Sequence, residues 1–282
     1  MDRKVETHAK ASNIMIEKVL EDQTSIWSDI FSKLKTNGGI CLPSNLDDGI
    51  EAASVALVGR KQRSDVIRYL CIAKDCAVAH FIREQLSTGC EFEVILDGES
   101  YYLEGKQGHS YLHFQFWFEA FCLTVMLRDW DKMHELLSYD ESMFDTANVQ
   151  SDKFDRALFA LIKGMFKKGS NMQALMQDAV TASESRFIDE HRQPWAYSLL
   201  LPLLEIVSYI LTTDVEEQYQ EAMYKACQSH KDIWQSKDAS NSKGWLSIPL
   251  TAMAVLAYEY RQYELGFDTD YIPHWIVVGD YK

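Results

Sequence analysis

Residues 91–103 read EFEVILDGESYYL, and this stretch decides the fold class because it is the one clear break in an otherwise helical pattern. Phe92, Val94 and Leu96 alternate with other residues, which is the two-residue period of a strand. The Asp97-Gly98 step that follows suits a type I′ turn, in which both central residues have positive φ. The sequence therefore predicts a β-hairpin within residues 89–106. Because an isolated hairpin is marginally stable in water, we expect it to pack on helices.

Helices are predicted on the amino-terminal side of the hairpin, over residues 1–88. Apolar side chains recur at helical spacing from Ile14 to Leu34, and the Asn37-Gly38-Gly39 step ends this helix. Asp47 or Asp48 is expected to cap a short helix that runs to Val58. A longer helix follows over residues 64–86.

The helical pattern returns on the carboxy-terminal side, over residues 107–282. An aromatic-rich stretch from His109 to Leu137 is predicted as one helix, and Pro194 fits the first turn of another that ends at Leu211. Asp214 is expected to cap the next helix. Further helices are predicted over residues 152–168, 172–187, 215–234 and 245–263. The expected fold is a single mainly α domain spanning residues 1–282, a multi-helix bundle or α-solenoid-like arrangement with one small hairpin.

Charge limits the kinds of partner that the protein can have. The chain carries 42 acidic and 28 basic residues, a net charge of −14. Such a surface repels phosphate backbones and anionic membranes, so neither nucleic acid nor membrane is an expected partner. The negative charge favours a cationic protein as partner, although an acidic surface is also explained by solubility alone.

The first residues and the cysteines indicate a cytoplasmic protein. The start, MDRKVETHAKASN, lacks the apolar core of a secretory signal. The longest apolar stretch, residues 195–211, contains Glu205 and Pro202 and is interpreted as a buried helix rather than a membrane span. None of the six cysteines forms a Cys-x-x-Cys pair, so reduced core cysteines are favoured over a redox or metal role.

Two acidic runs are the candidate partner-binding residues. The first sits at the start of a predicted helix, where the helix dipole alone also explains acidic residues. The second brackets Gly266 in a predicted turn. The candidate partner-facing residues are Asp214, Glu216, Glu217, Glu221, Glu264, Asp268 and Asp270.

Catalytic motifs are not apparent in the sequence: it has no phosphate-binding loop, dinucleotide fingerprint, nucleophile elbow or zinc-protease motif. His109 and His113 are four residues apart, but further zinc ligands are not obvious nearby. Asp131 and His134 are interpreted as a local ion pair on a helix. We therefore predict no catalytic, cofactor-binding or metal-binding residue, and a protein that is not an enzyme.

Several short motifs carry a resemblance to a known family. Gly244-Trp245-Leu246 precedes an alanine-rich apolar helix, and a glycine turn at Gly266 leads to Asp270-Tyr271-Ile272-Pro273. The hairpin, the Trp117-x-x-Ala120 helix and the Leu127-Arg128-Asp129 step are similar to earlier family landmarks in the same order. Together these motifs resemble the immunity 49 family, and the resemblance covers roughly residues 90–275.

The resemblance implies an antidote of a bacterial polymorphic or contact-delivered toxin, which binds and blocks its cognate toxin without catalysis. Such toxins are often nucleases with basic surfaces, which would suit a charge of −14. A helical-repeat adaptor that binds a peptide is the alternative, although the hairpin interrupts any helical repeat and no 34-residue period is visible. A third possibility, an enzyme with a site inside a helical bundle, would need Glu-x-x-His pairs that the chain does not contain.

Overall fold

The computed structural model describes residues 3–37, 39, 41–107, 111–147 and 149–281, and within them the chain is mainly α-helical. This confirms the predicted fold class. The described helices are α1 (Asn13–Asn37), α2 (Leu42–Val58), α3 (Arg63–Gln85), α4 (Phe114–Met126), α5 (Trp130–Ser138), α6 (Lys153–Phe166), α7 (Met172–Ala182), α8 (Gln193–Trp195), α9 (Leu201–Leu211), α10 (Glu216–Lys237), α11 (Ile248–Arg261) and α12 (His274–Val277).

Helix α4 lies at the centre of the fold. Nearly all of its residues are buried, including Phe114, Trp117, Phe118 and Phe121. A helix that is apolar over most of its surface must be covered over most of it, and α4 packs against α3, α5, α6 and α11. The aromatic stretch noted in the sequence is therefore core, and the remaining helices are arranged around it.

The predicted hairpin is present as β2 (Glu91–Leu96) and β3 (Glu99–Glu104), which pair antiparallel. Asp97 and Gly98 have φ of 52° and 84°, as a type I′ turn requires. The inner face packs on the core through Leu96, Tyr101 and Leu103. Arg68 of α3 anchors the turn, because its Nε and Nη2 donate to the two Asp97 carboxylate oxygens at 2.7 and 2.5 Å.

Three helix predictions were wrong at their boundaries, and one of them is the helix expected over residues 172–187, because α7 ends at Ala182. The stretch from His109 to Leu137 contains α4 and α5 rather than one helix, and Arg128, with a φ of 55°, lies at the break. Helix α2 begins at Leu42 with Pro43 in its first turn, so neither Asp47 nor Asp48 is its cap. At the break between α4 and α5, Arg128 donates to the carbonyl oxygens of Ile276 and Val277, and periodicity does not report such distant contacts.

A second strand pair, which the sequence analysis did not predict, joins the two ends of the chain. Strand β1 (Lys4–Val5) runs parallel to β4 (Asp268–Thr269), with Lys4 beside Asp268. The backbone N–H of Asp268 donates to the Arg3 carbonyl at 3.0 Å. The amino-terminal residues are thereby placed beside the second acidic run.

The apolar segment Gln193–Leu211 is one helix with a π-helical turn at Ala196–Leu200. Pro202 has no N–H to donate and its ring crowds the preceding turn, which a wider π turn accommodates. By length and composition this helix could cross a membrane, with 39% of its most apolar window buried, but core helices of soluble proteins pass the same test. Leu203, Ile206 and Ile210 are buried in the core.

Candidate functional site

The first acidic run lies at the start of α10. Glu216 and Glu217 are exposed in the first turn, Glu221 is half-buried one turn later, and Asp214 is exposed just before the helix. Asp214 has a φ of 61° and Val215 is the residue that precedes the helix, so the prediction that Asp214 caps α10 was wrong. The carboxylates still lie at the positive end of the helix dipole, which stabilises them there.

The structure brings the second acidic run against the first. The backbone N–H of Glu264 donates to Glu216 Oε1 at 3.2 Å, although the two residues are 48 positions apart. Glu264, Asp268 and Asp270 are all exposed. The two runs therefore form one surface, which we call the acidic face. It consists of Asp214, Glu216, Glu217, Glu221, Glu264, Asp268 and Asp270.

Some carboxylates of the acidic face are already engaged within the chain. Arg3 donates to Glu221 at 2.5 Å, and this hydrogen bond and charge lower the pKa of Glu221. Asp270 Oδ2 accepts the backbone N–H of Thr7 at 3.0 Å. The side chains of Asp214, Glu217 and Glu264 form no ion pair with any residue in the described ranges.

A cleft forms a second candidate site, and nothing in the sequence analysis predicted it. Its volume is about 410 Å³, a size that holds small ligands or inserted side chains in other proteins. Residues from α2, α4, the Gln193–Leu211 helix, α10 and α11 converge on it. They include Ile50, Gln115, Glu119, Arg192, Trp195, Leu199, Trp234, Lys243 and Ile248.

Two tryptophans form part of the cleft wall. The rings of Trp195 and Trp234 meet edge to face, with centroids 4.8 Å apart. Trp234 lies directly on Gly244, where an added Cβ would come within 2.4 Å of the indole ring. The glycine of the Gly244-Trp245-Leu246 motif is therefore required by this contact.

Charged side chains around the cleft differ in how they are paired. Arg192 donates to both oxygens of Asp155 at 2.7 and 2.8 Å and to Asp152 at 2.5 Å. Lys243 pairs with Asp47. Glu119 is half-buried and accepts a single hydrogen bond, from Gln115 Nε2 at 2.8 Å, and burial raises its pKa.

His230 lines the cleft and connects it to the amino-terminal and carboxy-terminal segments. Its Nε2 is 2.9 Å from the Gly244 carbonyl oxygen, and burial lowers its pKa to about 4. Its ring packs edge to face on Tyr271 of the Tyr271-Ile272-Pro273 motif. The Tyr271 hydroxyl in turn accepts the backbone N–H of His8 at 2.8 Å. These contacts join α10, the amino terminus and the carboxy-terminal motif.

Burial of His230 predicts a loss of stability in acid. The unfolded histidine takes up a proton below about pH 6.5, whereas the folded one stays neutral down to about pH 4. The unfolded state therefore binds more protons in this window, and stability falls as the pH is lowered. We expect this residue to remove about 3 kcal/mol from the free energy of unfolding between neutral pH and pH 4.

Urea denaturation of His230→Gln at the two pH values measures this contribution. The variant cannot titrate, so its stability should depend less on pH than that of the unchanged chain. His134→Gln is the matched control, since His134 is exposed. A His230→Gln variant with the same pH dependence as the unchanged chain would contradict the assignment.

The Arg128-Asp129 step makes structural contacts. Arg128 Nη1 and Nη2 donate to the carbonyl oxygens of Ile276 and Val277 at 2.9 and 2.6 Å, and Nε donates to Glu259 at 2.6 Å. Asp129 caps α5 by accepting the Lys132 N–H at 3.3 Å, and it pairs with Lys74. This motif therefore ties the carboxy-terminal segment to the core.

The other chemical candidates have ordinary roles where the structure describes them. His113 accepts the Phe116 N–H as the cap of α4, while its proposed partner His109 lies outside the described residues. Asp131 and His134 share α5 but do not form the ion pair expected of them. In the described part of the chain, no three His, Cys, Asp or Glu side chains cluster as a metal site. Of the six cysteines, Cys76, Cys122 and Cys227 are buried in the core as expected, whereas Cys41 and Cys71 are half-buried and Cys90 is exposed.

The described architecture is that of a mainly helical protein with one docked hairpin. The family model described as Immunity protein 49 matches residues 61–276, most of the chain, and the protein belongs to this family. This confirms the resemblance seen in the motifs and extends it to the start of α3. Membership implies an immunity protein whose partner is a toxin, and it suggests a role other than catalysis. No curated protein and no solved structure matches the chain.

Proposed function

We propose that the protein binds a cognate toxin in the cytoplasm and neutralises it by non-catalytic association through the acidic face. The observation that carries the proposal is the assembly of two distant acidic runs into one surface on a member of an immunity family. The exposed carboxylates of Asp214, Glu217 and Glu264 lack ion-pair partners in the described chain and are available to a cationic partner.

The toxin that best suits this face is a basic, nuclease-type effector. A nuclease has a cationic surface because it binds phosphate backbones, and an acidic inhibitor is complementary to that surface. The net charge of −14 adds long-range attraction, which raises the association rate. Arg3 and Lys4 reduce the negative charge at one edge of the acidic face. The carboxylates without ion pairs are therefore its most negative part.

Co-expression with the toxin encoded by the neighbouring gene tests this function. Cells that produce the toxin with this protein should survive, and cells that produce the toxin alone should die. Equal death in both cultures would contradict the antidote role. Nuclease activity of the purified toxin on DNA and RNA, with and without the protein, tests the finer claim separately. If the protein neutralises a toxin that cleaves neither DNA nor RNA, the antidote role is supported and the nuclease assignment is wrong.

A further inference from the structure

Two carboxylates of the cleft wall form no ion pair in the described ranges: Asp238, which is exposed, and Glu119, which is half-buried. Glu119 accepts one hydrogen bond from the neutral amide of Gln115. The two basic side chains of the wall, Arg192 and Lys243, are both engaged by aspartates. The cleft therefore holds a half-buried carboxylate without an ion pair, while its two cations form their ion pairs with aspartates and Lys243 acts on Glu119 only through space.

An unpaired carboxylate in a half-buried position costs free energy. Burial of a charge is disfavoured unless a counter-charge and hydrogen bonds replace water, and folded chains normally provide them. Here the chain provides them for Arg192 and leaves Glu119 with one neutral donor. A cationic group from outside the chain would supply the missing counter-charge.

The walls around Glu119 suit a planar cation. Trp195 and Trp234 line the same cleft, and indole rings attract cations through their electron-rich faces. A guanidinium group stacks on an aromatic ring and donates two parallel hydrogen bonds to a carboxylate. Apolar residues such as Leu199 and Ile248 complete the wall and can pack on the methylene stem of a long side chain.

We infer that the cleft receives an arginine side chain of the bound toxin, whose guanidinium donates to the Glu119 carboxylate and packs on Trp195 and Trp234. This inference rests on the proposed function, because it names a contact of the same complex. The site is nevertheless distinct from the acidic face. Glu217 and Trp234 lie on one helix 17 residues apart, which corresponds to roughly 25 Å.

Calorimetric titration with argininamide tests the cleft without any toxin. The full chain should bind argininamide saturably at one site in the millimolar range, as expected for a small ligand. Citrullinamide has nearly the same shape and the same α-amino group, but a neutral urea replaces the guanidinium, and it should not bind measurably. Glu119→Gln should weaken argininamide binding on the order of tenfold or more, because a charge-assisted pair is lost. Thermal unfolding checks that the variant is folded.

Glu205→Gln is the matched control, since Glu205 is an exposed carboxylate outside the cleft. It should bind argininamide like the unchanged chain. Equal binding of citrullinamide and argininamide, or an unchanged affinity in Glu119→Gln, would overturn the inference.

The toxin encoded by the neighbouring gene provides the second readout. Glu119→Gln should dissociate from it on the order of tenfold faster than the unchanged chain or Glu205→Gln. If the unchanged chain binds the toxin and Glu119→Gln binds it equally well, the arginine contact is wrong and the proposed function stands. If the unchanged chain does not bind the toxin, the proposed function fails, and the argininamide result still reports on the cleft.

Discussion

Replacement of Arg128 by methionine is expected to lower the free energy of unfolding by about 3 kcal/mol. The Arg128 side chain is only 6% exposed and donates to the carbonyl oxygens of Ile276 and Val277 and to the Glu259 carboxylate. Methionine fills similar space but donates nothing, so these acceptors lose their partner. Glu259 is partly exposed, so water can solvate its carboxylate once Arg128 is replaced. The expected loss is therefore at the lower end of the range for breaking a buried ion pair.

Urea denaturation measures this loss, and Arg186→Met provides the control. Arg186 also pairs with a glutamate, Glu184, but its side chain is 67% exposed. Exposed ion pairs contribute little, so the control should change the free energy of unfolding by less than about 1 kcal/mol. Similar losses in the two variants would show that the contacts of Arg128 with the carboxy-terminal segment do not stabilise the fold.

Reversal of three charges on the acidic face is expected to slow toxin association on the order of a hundredfold at low salt. The variant carries Glu217→Lys, Glu264→Lys and Asp268→Lys. These three side chains are exposed and form no ion pair within the described residues, so the fold should tolerate their replacement. Stopped-flow or surface-based kinetics with the toxin would report the association rate.

A second triple variant separates the local surface from the net charge. Glu21→Lys, Asp22→Lys and Glu91→Lys change the net charge equally, but these exposed residues lie on α1 and β2. We expect a much smaller loss of association rate from this control. The difference in association rate between the two variants should decrease as the salt concentration rises, because salt shortens the range of electrostatic interactions. Equal losses in both would remove the acidic face as the docking surface and leave only a general effect of charge.

The two sites would contribute differently to one complex. Exposed charges mainly set the rate of encounter, whereas a desolvated side chain in a cleft mainly sets the rate of dissociation. The acidic face is exposed, and Glu119 is half-buried between aromatic walls. Variants of the face should therefore act on association, and Glu119→Gln should act on dissociation. The association rate therefore tests the proposal for the acidic face, and the dissociation rate tests the proposal for the cleft.

Local sequence determined the fold class and the hairpin. Helical periodicity and the Asp97-Gly98 turn depend on backbone preferences within a few residues, and the structure has both. The short motifs around Arg128 and Tyr271 were also sufficient to indicate the family. The sequence could not show that Arg128 contacts the end of the chain 148 residues later.

Only the tertiary structure decided the geometry of the two candidate sites. Both acidic runs are visible in the sequence, but the Glu216–Glu264 contact that joins them depends on how α10 packs beside the segment after α11. The cleft combines Ile50, Glu119, Trp195, Trp234 and Ile248 from five separate segments. No local pattern predicts which residues meet in the cleft, because the packing of several helices around one core brings together residues that are distant in the sequence. The sequence thus determined which helices and which charges exist, and the packing around α4 decided which of them meet.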